Sequence, residues 1–315
     1  MNSFGSQTTV SQRRSYRFGL LVMVLAIGVM LWIFVNNRES LSALQIAPGR
    51  LLLHTGLVGG VFAVFVYGWV LATRSVGCTV GARKVCSAWL LSNAGKYIPG
   101  KVMMLGARVA IMQRAGSRSA EAVMALSYEH LALLLAALPF TAYGILAGAQ
   151  APSTWSLGTL FLVTIVSLAF ILRPLMLIDL INLLLTRWGR MPLARVMDRR
   201  LFAAAVGAFV LAWALYGLAG IVLLHSVGLA GHMPAYTVAA VSVAAWMIGF
   251  ASLITPGGMG VREAVFAGYL SQYIQPAQAV ACALLFRLTW TMVEWAGVAI
   301  GAGLGWLSVR DEKRI

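Results

Sequence analysis

Nine ionisable side chains stand in stretches of the sequence that are otherwise apolar. Lys96, Lys101 and Arg108 surround the pair Pro99-Gly100. Arg262 and Glu263 follow Pro256-Gly257-Gly258. Glu129 and His130 interrupt one long apolar run, and Arg287 and Glu294 interrupt another. A charge at the centre of a membrane helix costs at least about 2.5–3.5 kcal/mol on insertion scales, so each of these needs a reason. One reason is internal neutralisation, for instance Arg262 with Glu129 or Glu294. The other is an anion site. After a Pro-Gly break a half-helix begins, and its free N–H groups carry partial positive charge. Gly100, Gly257 and Gly258 permit close approach of a ligand to the backbone. With Lys101 at one break and Arg262 at the other, a phosphate is the natural guest.

On this reading Lys96, Lys101, Arg108, Arg262 and Arg287, with Gly100, Gly257 and Gly258, bind the substrate. Glu129, His130, Glu263 and Glu294 balance these charges or carry a proton. Arg287 and Glu294 lie two helical turns apart and share a face. His54 is expected to snorkel from the end of its span, and His225 and His232 to sit in loops. Cys78, Cys86 and Cys282 have no metal-ligating spacing and read as small apolar filler. No catalytic residue, metal or cofactor is expected, and the chain is read as a non-enzyme.

The elements that position these groups follow from composition. The 315-residue chain is 60% hydrophobic and 10% charged, against roughly 45–50% and about 25% in a soluble domain. Such a chain lacks the polar surface to cover a water-soluble globule, which excludes a soluble enzyme, a nucleic-acid binder and a disordered protein. The 24 Lys and Arg against 9 Asp and Glu, a formal charge of +15, fit cytoplasmic loops that set orientation and meet anionic lipid. The fold class expected is an all-α polytopic membrane protein.

Apolar runs at 18–35, 51–73, 120–146, 155–172, 201–224 and 277–307 give six full spans. The Arg13-Arg14 pair before the first resembles an export signal, but no small-residue cleavage site follows, so a retained helix is expected. The basic segment 173–200 is the main cytoplasmic loop, with an apolar stretch, 175–185, too short to span and placed in the interface. Two segments remain. Residues 85–118 begin and end among cytoplasmic charges, and 235–276 begin and end outside. Parity makes each a re-entrant Pro-Gly hairpin, tolerated at membrane depth only where the backbone faces protein or a wet cavity. The resulting division is a cytoplasmic tail at 1–17, one transmembrane domain at 18–309, and a cytoplasmic tail at 310–315.

The hairpins align with each other on their Pro-Gly pairs. Without gaps, Ala107 then matches Ala264, Ala110 matches Ala267, Ala120 matches Ala277, Val123 matches Val280, and His130 faces Arg287. Each unit is span, hairpin, span, with opposite polarity. Inverted repeats with broken helices near the midplane characterise secondary transporters.

At the hairpins the sequence resembles the membrane domain of lysylphosphatidylglycerol synthases, a family of flippase-like integral membrane proteins. The resemblance rests on NAGKYIPGK (93–101) with GAR (106–108), and more specifically on TPGGMGVREA (255–264). It implies translocation of a lipid with a charged or glycosylated headgroup across the cell inner (cytoplasmic) membrane. The soluble aminoacyl-transferring domain has no counterpart in this chain, so synthase activity is not carried over. Cargo candidates are lysyl-phosphatidylglycerol, another aminoacylated lipid, a polyprenyl-phosphate sugar or another anionic lipid. The partners expected are thus an anionic or glycosylated membrane lipid, and a second copy of the chain or a lipid-modifying enzyme. Two alternatives use the same residues differently: a secondary transporter of a small soluble anion, and a non-transporting scaffold for a lipid-modifying enzyme.

Overall fold

The computed structural model describes residues 44–97, 102–148, 154–173, 197–252 and 255–312, with isolated positions between 32 and 38 and between 176 and 189. Most of the expected first span, most of the interfacial stretch at 175–185, and the tip residues Pro99, Gly100 and Lys101 lie outside the described residues. Among those described, all the regular secondary structure is helical. The helices are α1 (Pro48–Ser75), α2 (Ala82–Ser92), α3 (Val102–Arg114), α4 (Ser119–Gly148), α5 (Thr154–Leu172), α6 (Arg199–Ser226), α7 (Ala235–Ala251), α8 (Val261–Leu270) and α9 (Pro276–Glu312).

Four of these helices, α1, α4, α6 and α9, are long and apolar enough to cross a bilayer. At 1.5 Å per residue the 28 residues of α1 reach about 42 Å, beyond a hydrocarbon core of about 30 Å. The protein is a multi-pass membrane protein built of helices. By contrast α2 and α3 have 11 and 13 residues, and α8 has 10. Each is shorter than the roughly 20 residues a crossing needs. They occur in two helix–break–helix segments, α2–α3 and α7–α8, at the sequence positions of the two Pro-Gly pairs.

The helix ends follow from local chemistry. Pro48 starts α1, where a missing N–H does no harm. Asp198 caps α6, accepting from the amides of Arg200 and Leu201 at 2.8 and 3.2 Å. Both α1 and α6 stop at Ser-Val-Gly, with Gly77 and Gly228 each at φ +76°, a left-handed turn that favours glycine. His225 lies inside the last turn of α6, so the expectation of a loop there is corrected: the helix runs on to the Ser-Val-Gly stop.

Helices α1 and α6 form the central antiparallel pair. Their ends are tied reciprocally. The amide of Ala47, before α1, donates to Ser226 at the end of α6, and the amide of Asp198, before α6, donates to Ser75 at the end of α1, both at 2.7 Å. Two crossings flank the pair, α2 against α9 and α7 against α4. Each depends on one glycine. A Cβ at Gly144 would lie 2.6 Å from the Ala240 carbonyl oxygen, and one at Gly301 would lie 2.7 Å from Leu90 Cβ. The spacing between Gly144 and Gly301 equals that between the starts of α4 and α9, and that between Pro99 and Pro256.

His54, expected to snorkel, is instead fully buried between three helices. Its Nδ1 lies 2.8 Å from the Ala219 carbonyl on α6 and its Nε2 lies 2.8 Å from Thr289 Oγ1 on α9. Two hydrogen bonds inside the bundle replace those that headgroup water would have offered.

Candidate functional site

The backbone of the second segment breaks after α7 because of its glycines. Gly257, Gly258 and Gly260 have φ of 59°, 72° and 81°, a region L-residues avoid. A Cβ on Gly258 would also lie 2.6 Å from the Gly249 carbonyl oxygen, so the chain folds back directly onto the end of α7. Gly260 then caps α8, its amide donating to Glu263 Oε2 at 2.6 Å. The first segment approaches the same place. After α2 the chain tightens into a 3₁₀ turn, Asn93–Tyr97. A Cβ built on Gly257 would lie 3.5 Å from the Tyr97 ring and 3.3 Å from Arg287 Nη2. The two breaks therefore meet inside the bundle.

Three of the buried cations have carboxylate neighbours. Arg108 donates to Glu129 Oε2 at 2.5 Å and to Ser92 Oγ at 2.9 Å. Trp89 Nε1 donates to the other oxygen of Glu129 at 2.6 Å, so that carboxylate is fully used. His130 Nδ1 lies 2.9 Å from the Leu126 carbonyl and 3.5 Å from Glu129 Oε2. Lys96 pairs closely with Glu294, whose second oxygen accepts from Tyr97 Oη at 2.9 Å. Tyr97 in turn stacks on Trp295 with centroids 5.7 Å apart. Arg287 Nε lies 3.4 Å from Glu263 Oε1, but in an orientation that makes no hydrogen bond. All three Arg287 nitrogens are buried without a hydrogen-bond partner.

Arg262 is different. Neither Glu129 nor Glu294 neutralises it, which corrects that expected pairing: Arg108 and Lys96 reach those carboxylates first. Its guanidinium is held 5.2 Å from the rings of both Trp246 and Trp290. It is 8% exposed, and its Nε and Nη1 have no hydrogen-bond partner. Among the described residues of this cluster, the cations Lys96, Arg108, Arg262 and Arg287 outnumber the carboxylates Glu129, Glu263 and Glu294 by one. Buried polar groups are normally bonded, and each orphan calls for an explanation.

Three cavities adjoin these groups. One of about 60 Å³ lies between the two segments, with Lys96, Arg108, Glu129, His130, Gly257 and Arg262 among its walls and Trp89, Trp246 and Trp290 beside them. A second, of about 10 Å³, joins Arg262 to Arg287 and Glu263. The third, of about 230 Å³, opens from Arg287, Glu263 and Gly260 into apolar walls of α8 and α9. Arg287 stands eleven residues into α9 and His130 eleven into α4, about 16 Å along each axis. That depth is about half a hydrocarbon core.

The structure thus gathers ten of the twelve expected site residues into one cluster, and Gly100 and Lys101 lie outside the described residues. The partners Trp89, Trp246, Trp290, Tyr97 and Ser92 were not anticipated. A signal existed for two of them, since Trp89 and Trp246 have the spacing of the two Pro-Gly pairs.

The geometry can bind an anion: buried guanidinium N–H donors without hydrogen-bond partners stand beside glycine backbone. Comparison with known proteins gives one family match, the lysylphosphatidylglycerol synthase TM region, over residues 17–301. None of the curated proteins matches the chain.

Proposed function

Because the chain belongs to the lysylphosphatidylglycerol synthase TM-region family, whose name ties it to lipid chemistry, we propose that it moves a lipid with a charged or glycosylated headgroup between leaflets. The observation that carries this reading is Arg262, a buried guanidinium in salt-bridge contact with no carboxylate among the described residues, at the junction of two broken helices. An isolated buried charge is expensive. A headgroup phosphate entering the seam supplies the missing counter-charge and bonds to Arg262 and Arg287 through their planar forks.

The headgroup travels through the linked cavities while its hydrocarbon stays in the bilayer. The reciprocal ties between α1 and α6, and the matched crossings at Gly144 and Gly301, favour two inverted halves with re-entrant segments. Two halves that rock about a central site are the usual means of alternating access. Arg108 with Glu129 and Lys96 with Glu294 fix the segments in place. In this proposal the protein lies in the cytoplasmic membrane with both termini inside, and it performs no covalent chemistry.

The test uses the purified protein in vesicles with a fluorescent phosphatidylglycerol in both leaflets. Dithionite bleaching reads the fraction that changes leaflet. Wild type should bleach both pools, while Arg262→Gln should bleach only the outer one. Equal bleaching by Arg262→Gln contradicts the role of Arg262. A wild-type protein that moves no lipid in a panel of anionic, aminoacylated and glycosylated lipids contradicts the transport reading.

A further inference from the structure

The largest of these three cavities is not enclosed between the two broken segments. It lies at the perimeter, along the seam between α8 and α9, where Gly260 and Ala264 are exposed. It exists because alanines line it: Ala264 and Ala267 on α8 face Ala283 on α9, so the helices meet without filling the space. Small residues alone would mean only a surface furrow. The inner end of this one is different. It terminates at Arg287, 3% exposed, whose three nitrogens lack hydrogen-bond partners.

The channel is apolar along its walls and ends on Arg287 with Glu263 3.4 Å from its Nε, and the unbonded guanidinium N–H donors give it the polarity of an amphiphile with an anionic head. A soluble anion would leave the alanine-lined walls uncovered, and a neutral hydrocarbon would leave the guanidinium unsatisfied. We infer that this groove seats a hydrocarbon chain of an anionic lipid, its phosphate held by Arg287 and its tail directed along α9 towards Pro276. The volume of about 230 Å³ suits a segment of one chain, with the remainder in the bilayer. The inference rests on the lipid reading above and adds the doorway through which the lipid leaves the bilayer. From Arg287 the next cation is Arg262, across the small cavity that both line.

The probe is phosphatidylglycerol carrying a diazirine midway along one acyl chain, reconstituted with the full-length protein, photolysed and mapped by mass spectrometry. The expected result is labelling within 259–267 and 280–288 at least tenfold above α5, whose Phe161 and Leu162 are freely exposed. Ala264→Phe fills the groove from an exposed position and should lower that labelling about tenfold, and Arg287→Gln should do the same. Leu162→Phe on α5 should leave it unchanged. Labelling no higher in the groove than on α5, or unaltered by Ala264→Phe, overturns the inference. Complete displacement of the label by soluble glycerol phosphate also overturns it, because the site would then bind phosphate without the chain. Leaflet exchange measured in the same vesicles keeps the two claims apart. Exchange with unselective labelling refutes the groove alone, and selective labelling without exchange refutes transport alone.

Discussion

Arg108 and Arg262 are both buried guanidiniums set against tryptophan rings, yet their surroundings assign them different work. Arg108 completes a network with Glu129, Ser92 and Trp89. Removing one partner of a buried pair leaves the other uncompensated, at about 3–5 kcal/mol. Arg108→Ala is therefore expected to destabilise the protein by that order, read as loss of monodisperse protein on heating in detergent, and Glu129→Gln in the same chain should recover part of it. Arg262 has no carboxylate to orphan. Arg262→Gln deletes no salt bridge and loses only the contacts with Trp246 and Trp290, so it should cost no more than about 2 kcal/mol, while transport is lost. A fall in stability as large as that of Arg108→Ala would mean that Arg262 serves the fold. The sequence made this group of charges legible, because each stands alone in an apolar run. It did not disclose who pairs with whom. Glu294 meets Lys96, some two hundred positions away, and only the meeting of the two breaks brings them together. The tryptophans were hidden for another reason: in a chain this apolar, a ring that holds a cation reads like one that fills a core.

At the scale of the elements, the breaks were the most legible feature. Pro followed by glycine in an apolar stretch disfavours a continuous helix, and α7 stops at Ala251, five residues before Pro256. The helix ends at Ser75 and Ser226 were less so, and His225 was misplaced, because nothing in an apolar helix but its cap marks the end. The two glycines of the second break separate structural from functional demand. A Cβ at Gly258 would meet backbone at 2.6 Å, whereas one at Gly257 would meet only the Tyr97 ring and Arg287 Nη2 at 3.3–3.5 Å. Gly258→Ala is expected to lower stability. Gly257→Ala carries only the left-handed strain, roughly 1–2 kcal/mol, and should still be recovered folded from the membrane with reduced transport. Normal transport by Gly257→Ala would remove the tip from the lipid path. Gly144→Leu and Gly301→Leu should be equally damaging to recovery of folded protein, since each separates a crossing helix pair.

For the molecule as a whole, the division into helices could be read along the chain, but the way the helices interlock could not. Hydropathy locates α4 and α9; it does not say that α2 leans on α9 while α7 leans on α4. Those contacts arise from packing between helices distant in sequence, and packing leaves no mark on local composition beyond single glycines. Topology can be tested directly on a background lacking Cys78, Cys86 and Cys282. Cysteines at Arg83 and Arg114 should both label only from the cytoplasmic side, and cysteines at Ala235 and Gln275 only from the outside. Labelling of either pair from opposite sides would make that segment a single crossing, not a re-entrant hairpin.

The central claim is that a buried excess of positive charge draws an anionic headgroup through the seam between the two broken helices. Its most direct test is leaflet exchange of phosphatidylglycerol in vesicles containing wild type or Arg262→Gln, with lysyl-phosphatidylglycerol as the cationic comparison. The account predicts exchange of phosphatidylglycerol by wild type at least tenfold faster than by Arg262→Gln, and slower exchange of the cationic lipid. Equal rates for wild type and Arg262→Gln, with both proteins folded, would contradict it.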